Sequence, residues 1–432
     1  MGSSKWWRIG ATLMFGLFVA YLDRSNLSVA LPRLSEDMGF AGPGFADTSS
    51  WTLTAFLFGY LAANLLGGFL TYRIDPKVAL IITVAVFSTC TLLAGFVNSV
   101  GLLIAMRVVL GFAEGIYWPQ QFRVAKAWFT EREMSKGTAI IQYYGQYTAL
   151  ALGFFLLTPL YDALGWRPLF WITGSAGIVL VIPLYMAFLR SAPASAAPTV
   201  PRREPGTRAR MRFADFGGSR FPLLVFSYFS NGMLFWGVTL WIPLVIDALG
   251  FTGTSRGLLA ALPYALSLVL TVPAMAISDR TGKRVLIASS GLLLGGALVG
   301  AIPLVDSPVS KLVLICVGMG YFTATFTSNL WAIAVTDLRP HLVGPATGII
   351  NGIGAGGGGI VAGLVVGRLR ATTGSYLPGF VVLGVVAIIG GLALLAYGRL
   401  RPRELTAASG QVAFPDSVGG VRSASAETGE RR

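Results

Sequence analysis

Four charged residues stand deep inside long apolar stretches: Asp23 and Arg24 in the first stretch, Arg107 and Glu114 in the fourth. Two acids and two bases sum formally to zero. Arg107 and Glu114 are seven residues apart, close to two helical turns, so a helix puts them on one face. Gly111 lies between them on that face and leaves room for a ligand or a neighbouring helix. Asp23 and Arg24 are adjacent and diverge by about 100° on a helix, so neither neutralises the other. Each needs a partner elsewhere, and the fourth stretch offers one of each sign. Arginine keeps its charge at any physiological pH and serves as a permanent anion receptor or counter-ion. A carboxyl group takes up and releases a proton, and a dry apolar site favours its neutral form. The chemistry on offer is anion binding beside proton exchange. The bland use of the same four charges is a static ion-pair network stapling two helices.

Other chemistries find little to stand on. The single histidine, His341, sits in a polar connection, so Asp23 and Glu114 are the obvious proton carriers. Cys90 and Cys316 both lie inside apolar runs, which argues against a disulfide framework or a thiolate metal site. A membrane enzyme would need clustered metal ligands or a nucleophile beside a base, and the sequence offers neither. No cofactor or metal is expected; a proton gradient would supply the energy.

The elements that position these residues follow from composition. Of 432 residues, 54% are hydrophobic and 12% charged; a soluble chain carries about twice that charged share. The mean hydropathy is +0.69. A bilayer core is crossed by ~20 apolar residues, and such runs cover about 9–32, 49–71, 78–97, 101–122, 136–160, 167–189, 220–247, 256–278, 284–304, 310–336, 343–366 and 376–399. Charges at that depth cost ~2.5–3.5 kcal/mol each and persist when paired or used in transport. Lys5 and Arg8 before the first run imitate a signal peptide, but Asp23-Arg24 interrupts the run, which reads as an uncleaved first membrane helix.

The expected class is an all-α membrane protein with twelve transmembrane helices in two pseudo-symmetric six-helix bundles. Residues 1–189 would form the N-terminal bundle and 220–400 the C-terminal one. Between them, 190–219 is proline- and arginine-rich and reads as a cytoplasmic linker; 401–432 reads as a disordered cytoplasmic tail. The net charge of +14 lies between apolar runs, which points to anionic lipids and to topology rather than to nucleic acid. One set of connections holds Arg73, Lys77, Arg123, Lys126, Arg132, Lys136, the linker arginines, Arg280, Lys283, Arg284 and Arg339. That richer side should be cytoplasmic, with both termini on it.

Each half carries a related signal after its second helix. The second half reads Ser278-Asp279-Arg280-Thr281-Gly282-Lys283-Arg284, and the first runs from Gly67-Gly68 through Tyr72-Arg73-Ile74-Asp75 to Lys77. The pair resembles the G-x-x-x-D-R-x-G-R-R/K loop motif of the major facilitator superfamily, a six-plus-six transporter fold. In the first copy Tyr72 replaces the acid and Asp75 the glycine, which weakens the charge relay that the resemblance assigns to this loop. A basic turn that fixes topology is the plainer reading of Asp279, Arg280 and Arg73, and the two are compatible.

The string from Tyr21-Leu22-Asp23-Arg24-Ser25-Asn26-Leu27-Ser28 to Pro32 resembles the first helix of the anion:cation symporter family within that superfamily, which includes galactonate, glucarate, hexuronate and aromatic-acid permeases and, distantly, sialin and vesicular glutamate transporters. Arg107 to Gly115 with Trp118-Pro119, Gly145-Gln146-Tyr147, Ser328-Asn329-Leu330-Trp331 and Gly348-Ile349-Ile350-Asn351 extend the likeness over residues 6–400. The resemblance implies that Asp23 and Glu114 couple protons, that Arg24 holds the substrate carboxylate, and that Arg107 pairs with the acid or the substrate. It places Tyr21, Tyr60, Gln146, Ser328, Trp331 and Asn351 among the substrate contacts. Each has a plainer role: Tyr21 and Tyr60 as packing aromatics, Gln146 and Asn351 as interhelical hydrogen bonds of ~0.6 kcal/mol, Trp331 as packing or as a ring platform. Asn231 and Ser230 are polar at depth as well. The glycines Gly354 and Gly356 to Gly359 lack the strand-turn-helix context of a phosphate loop and suit close helix contact or a flexible helix.

The expected function is a proton-coupled symporter importing an organic anion (a sugar acid, dicarboxylate or aromatic carboxylate) by alternating access, as a monomer in a bacterial inner membrane. An exporter or drug antiporter is the nearest alternative, but Gly145-Gln146-Tyr147-Thr148 lacks the proline that exporters often carry in the fifth helix. A non-transporting sensor is the other.

Overall fold

The structure, a computed structural model, describes residues 5–71, 74–130, 133, 137, 139–189, 216, 218–338 and 340–400. Among them every regular element is helical, and the helices form twelve spans. These are α1 (Thr12–Asp37), α2 (Phe45–Thr71), α3 (Pro76–Ala94), α4 (Val100–Trp128), α5 (Ile140–Leu164), α6 (Trp166–Phe188), α7 (Gly218–Ala248), α8 (Gly253–Thr281), α9 (Arg284–Leu304), α10 (Pro308–Asp337), α11 (Pro345–Thr373) and α12 (Leu377–Arg399). The last ten are each long and apolar enough to cross a membrane. The first carries Asp23-Arg24-Ser25-Asn26 at its centre. Short connections alternate the helix directions, so one end of the bundle gathers the start of α1 and the finish of α12. The other, called the far end below, gathers the finish of α1 and the start of α2.

Local signals explain where helices begin and stop. Asp75 caps α3, accepting from the backbone N–H of Lys77 at 2.8 Å and of Val78 at 3.3 Å, while Pro76 opens the first turn. The acid that departs from the loop pattern therefore has a structural task. Gly282 and Gly374, at φ of 66° and 72°, end α8 and α11 in the left-handed region where side chains are strained. The Lys5 ammonium sits 2.7 Å from Glu133. With Thr130 donating through its backbone and hydroxyl, it holds the Glu133 carboxyl down to about 2.

Packing resolves the glycines. A methyl group at Gly111 would strike the Phe56 carbonyl, and one at Gly59 the Val108 carbonyl, so the open face of α4 is filled by α2, not by a ligand. In α11, Gly354 and Gly358 lie against Tyr228 and Phe229 of α7, while Gly356, Gly363 and Gly367 lie against Leu61, Thr54 and Ser50 of α2. The glycine run thus carries close contact on two faces. It also spans a π-helical stretch, Ile350–Gly357. The first six helices meet the last six chiefly through α2 with α11, α5 with α8, and α1 with α7. Helix α7 is buried along almost its whole length.

Asp279 pairs with Arg284 at 3.3 Å, and both Asp279 and Arg280 are exposed. Arg73 lies outside the described residues, as do the linker from 190 to 215 and the tail 401–432. Arg123 reaches the first-half loop from α4, donating to the Thr71 carbonyl at 3.3 Å, the Ile74 carbonyl at 3.4 Å and Gln120 Oε1 at 2.7 Å.

Candidate functional site

Arg24 and Glu114 form a buried ion pair through the arginine Nε and Glu114 Oε2. The fourth helix thus supplies a partner for the base on the first. The acid is served differently. Arg107 donates to the Asp23 backbone carbonyl at 3.1 Å, and no hydrogen bond reaches either Asp23 carboxylate oxygen. Thr91 of α3 and Thr173 of α6 flank that carboxylate. Their hydroxyls donate instead to the carbonyls of Phe87 at 3.1 Å and Leu169 at 2.9 Å. Arg107 Nε and Nη2 and Glu114 Oε1 are likewise buried without a partner. Buried charges with unmet hydrogen-bonding capacity are costly, so the cluster is an unfinished network, which a mere staple does not require.

The guanidinium of Arg24 sits in a box of rings. Its Cζ lies 4.3 Å from the Tyr21 ring centre, 5.3 Å from Tyr60, 5.9 Å from Phe56 and 5.7 Å from Trp236. Three of these rings come from α1 and α2, and Trp236 comes from α7 across the bundle. Arg107 stands behind the same Phe56 ring, 5.3 Å from its centre. Each ring face attracts the cation and leaves its hydrogen-bond donors free, unlike a carboxylate. Exposure separates two layers: Tyr21, Arg24 and Asn351 keep 9%, 5% and 5% of their surface accessible at mid-bundle, whereas Asp23 and Glu114 keep 0% and Arg107 1%. Arg24 therefore keeps a little reachable surface at mid-bundle, and the acids are fully enclosed behind it.

Other residues expected from the sequence fall around this centre. Asn351 Nδ2 donates to the Tyr60 hydroxyl at 2.9 Å and to Asn64 Oδ1 at 2.8 Å, tying α11 to α2. Trp331 donates to the Tyr228 hydroxyl at 3.3 Å and lies 5.8 Å from the Trp118 ring of α4. That contact joins the halves on the side of the centre nearer the chain termini. Ser328 is buried beside the Tyr143 hydroxyl, and Gln146 is half-buried. Sequence reasoning missed Phe56, Trp236, Thr91 and Thr173. Phe56 stands one turn before Tyr60 and so shares its face, a legible signal. For Trp236 there was none, because an apolar helix buried all round does not declare which face meets the other half.

At the far end the halves are joined by charge. Arg256 of α8 lies 3.5 Å from Asp162 of α5 and 3.8 Å from Asp247 of α7, with Tyr161 beneath its guanidinium. Arg368 of α11 lies 3.6 Å from Asp47 of α2. The centre is thus covered on both sides. Among the described residues no group of acids, histidines and cysteines is arranged to hold a metal ion.

Proteins similar to this chain in sequence and fold are membrane transporters. The sequence model of the Major Facilitator Superfamily matches residues 13–363. A probable sulfoacetate transporter of Cupriavidus necator is 28% identical over 400 residues, covering 88% of this chain and 90% of its own. A D-galactonate transporter of Escherichia coli is 26% identical over 415 residues, covering 87% and 92%. Among solved structures, a bacterial homologue of the human lysosomal transporter Spinster superposes with a TM-score of 0.69 at 14% identity over 93% of this chain and 98% of that one. Such a likeness shows the fold. The helical architecture, the buried charge cluster and the extent of these matches lead to one assignment: the chain is a multi-pass membrane transporter, not an enzyme, and belongs to the Major Facilitator Superfamily.

Proposed function

We propose that the chain imports an organic anion together with protons by alternating access. One observation carries this reading: Arg24, the fixed cation that keeps some reachable surface at mid-bundle, is held through its Nε by Glu114, a group that a proton neutralises. Protonating Glu114 ends the ion pair and leaves the guanidinium to an incoming carboxylate or sulfonate. Anion and proton then load together, because each removes the reason for the other to stay away. Asp23, with Thr91 and Thr173 beside it and no hydrogen bond on its carboxylate, is the second proton carrier. Arg107 anchors its backbone and balances its charge. The contacts at the far end, Arg256–Asp162 and Arg368–Asp47, open to admit cargo from outside; the Trp118–Trp331 contact opens toward the cytoplasm.

The relatives support the cargo class: their names assign sulfoacetate, D-galactonate, galactarate or D-glucarate, and tartrate, all small organic anions. Residues 1–189 and 220–400 act as the two rocking bodies. The chain lies in a bacterial inner membrane as a monomer, with both termini in the cytoplasm on the lysine- and arginine-rich side and anionic lipids against it.

Proteoliposomes holding the purified chain test the reading. An inward proton gradient should drive accumulation of labelled D-galactonate, and an uncoupler should abolish it. Accumulation indifferent to the gradient would remove proton coupling.

A further inference from the structure

Trp236 belongs to no expectation drawn from the sequence, yet it is the ring that the second half of the chain brings to Arg24. It is 3% exposed, its centroid lies 5.1 Å from Phe56 in an edge-on arrangement, and its indole N–H has no acceptor among the described residues. The indole nitrogens of Trp171 and Trp241 are also without acceptors, but they are sealed from any space; that of Trp236 is not. The same holds for Arg24. Its Nε is committed to Glu114, while its Nη atoms are unsealed, with the Tyr21 hydroxyl beside the guanidinium. Asn231, also on α7, accepts from Thr327 at 3.4 Å through its Oδ1 and leaves its amide N–H groups open in the same way. Asn231 and Trp236 stand five residues apart and so point about 140° apart around the helix: Trp236 faces Arg24 and Asn231 faces Thr327 of α10.

The groups left open beside Arg24 are neutral, the Trp236 N–H a donor and Asn351 Oδ1 an acceptor, and the guanidinium is the one charge among them. Arg107 cannot add a second: it is 1% exposed, stands behind the Phe56 ring, and its free donors are sealed. A ligand that satisfies this set has one anionic head for Arg24 and an uncharged body rich in hydroxyls, which both accept and donate. A second carboxylate would be stripped of water against neutral groups, with no cation to pair it. We infer that the site selects monoanionic hydroxy acids, such as sugar acids with a single carboxylate, and that Trp236 is a specificity residue whose indole N–H donates to the cargo beside its carboxylate. This rests on the reading of Arg24 as the anion receptor.

Three probes share one hydroxylated six-carbon skeleton: D-galactonate with one carboxylate, galactarate with two, and galactitol with none. Their effect on the thermal unfolding midpoint of the purified full chain, titrated to give affinities, tests the inference, since a ligand that binds the folded state raises its stability. D-Galactonate should raise the midpoint, and galactarate and galactitol should not. Trp236→Phe keeps a ring over Arg24 and should weaken D-galactonate about tenfold, or about 1.4 kcal/mol. Trp241→Phe removes a sealed indole and should leave the affinity unchanged. Galactarate binding as tightly as D-galactonate, no response to any of the three, or an unchanged affinity in Trp236→Phe would overturn the inference. Proton-driven uptake in proteoliposomes separates this from the broader reading. Selective binding without gradient-driven accumulation removes the coupling and leaves the selectivity. Gradient-driven accumulation of both acids with equal binding does the reverse.

Discussion

The Arg24–Glu114 pair is where a single atom change says most. Glu114→Gln keeps the shape of the side chain and removes the group that a proton neutralises. It should abolish gradient-driven accumulation while exchange of cargo across the membrane persists, measured as counterflow in proteoliposomes. Full accumulation in that variant would move the coupling role elsewhere. Arg24→Ala should remove anion binding and also destabilise the fold by ~3–5 kcal/mol, because a buried carboxylate loses its partner. The double variant Arg24→Met/Glu114→Leu should recover most of that stability without recovering binding, seen by thermal unfolding with and without ligand. At this scale the sequence was informative where charge was concerned. Four ionisable residues in apolar surroundings declare themselves by their expense, and the adjacency of Asp23 and Arg24 already required partners from outside. What stayed hidden was the apolar half of the site. Phe56 and Trp236 look like any other ring in a membrane helix, and only the packing shows that they face a guanidinium. The asymmetry between the two acids was hidden as well: Arg107 takes Asp23 by its backbone carbonyl, and no spacing rule distinguishes a carbonyl from a carboxylate.

Helix by helix, the runs of apolar residues located the spans well. The first is longer than its run, reaching Asp37 rather than residue 32, because Pro32 is tolerated inside a helix whose neighbours support it. The glycines were ambiguous on paper and are not in space. Gly111 and Gly59 let α2 and α4 approach backbone to backbone, so Gly111→Val should lower the unfolding midpoint by several degrees and impair folding into the membrane. Gly357 differs: only the Phe229 ring edge lies near it, at 3.9 Å or more. Gly357→Ala should therefore be tolerated where Gly358→Ala, facing the Phe229 carbonyl, is not, as judged by yield and thermal stability of the purified variants. A reading of the run as mere flexibility predicts equal effects at both positions. The loop signal that places the superfamily is a different matter. Asp279 and Arg284 pair at the surface, and the departing Asp75 is a helix cap; neither task is visible in a motif that records only residue type.

Across the whole molecule, the two sets of six helices are joined by unlike materials at their two covers: ion pairs at the far end, aromatic rings nearer the termini. Arg256 is buried while Asp162 and Asp247 are partly exposed, so the far cover is built from contacts that water and salt weaken readily. Arg256→Gln should bias the chain toward a conformation open at that end. Spin labels at Leu164→Cys and Thr252→Cys, with Cys90 and Cys316 replaced by serine, should report a longer distance distribution in the variant; an unchanged distribution would show that these ion pairs do not hold the cover. None of this architecture could be read from helix limits alone, since it depends on which helix ends come together.

The four buried charges have one further consequence. With both acids ionised, Asp23, Arg24, Arg107 and Glu114 sum to zero, so an empty chain that reorients carries no net charge through the electric field with them. A transmembrane voltage does ~2.3 kcal/mol of work per unit charge for each 100 mV, and on this centre it finds nothing to act upon during the unloaded return. Whatever sensitivity to membrane potential the transporter displays then arises in the laden half of its cycle, from the surplus of bound protons over the charge of the anion they accompany.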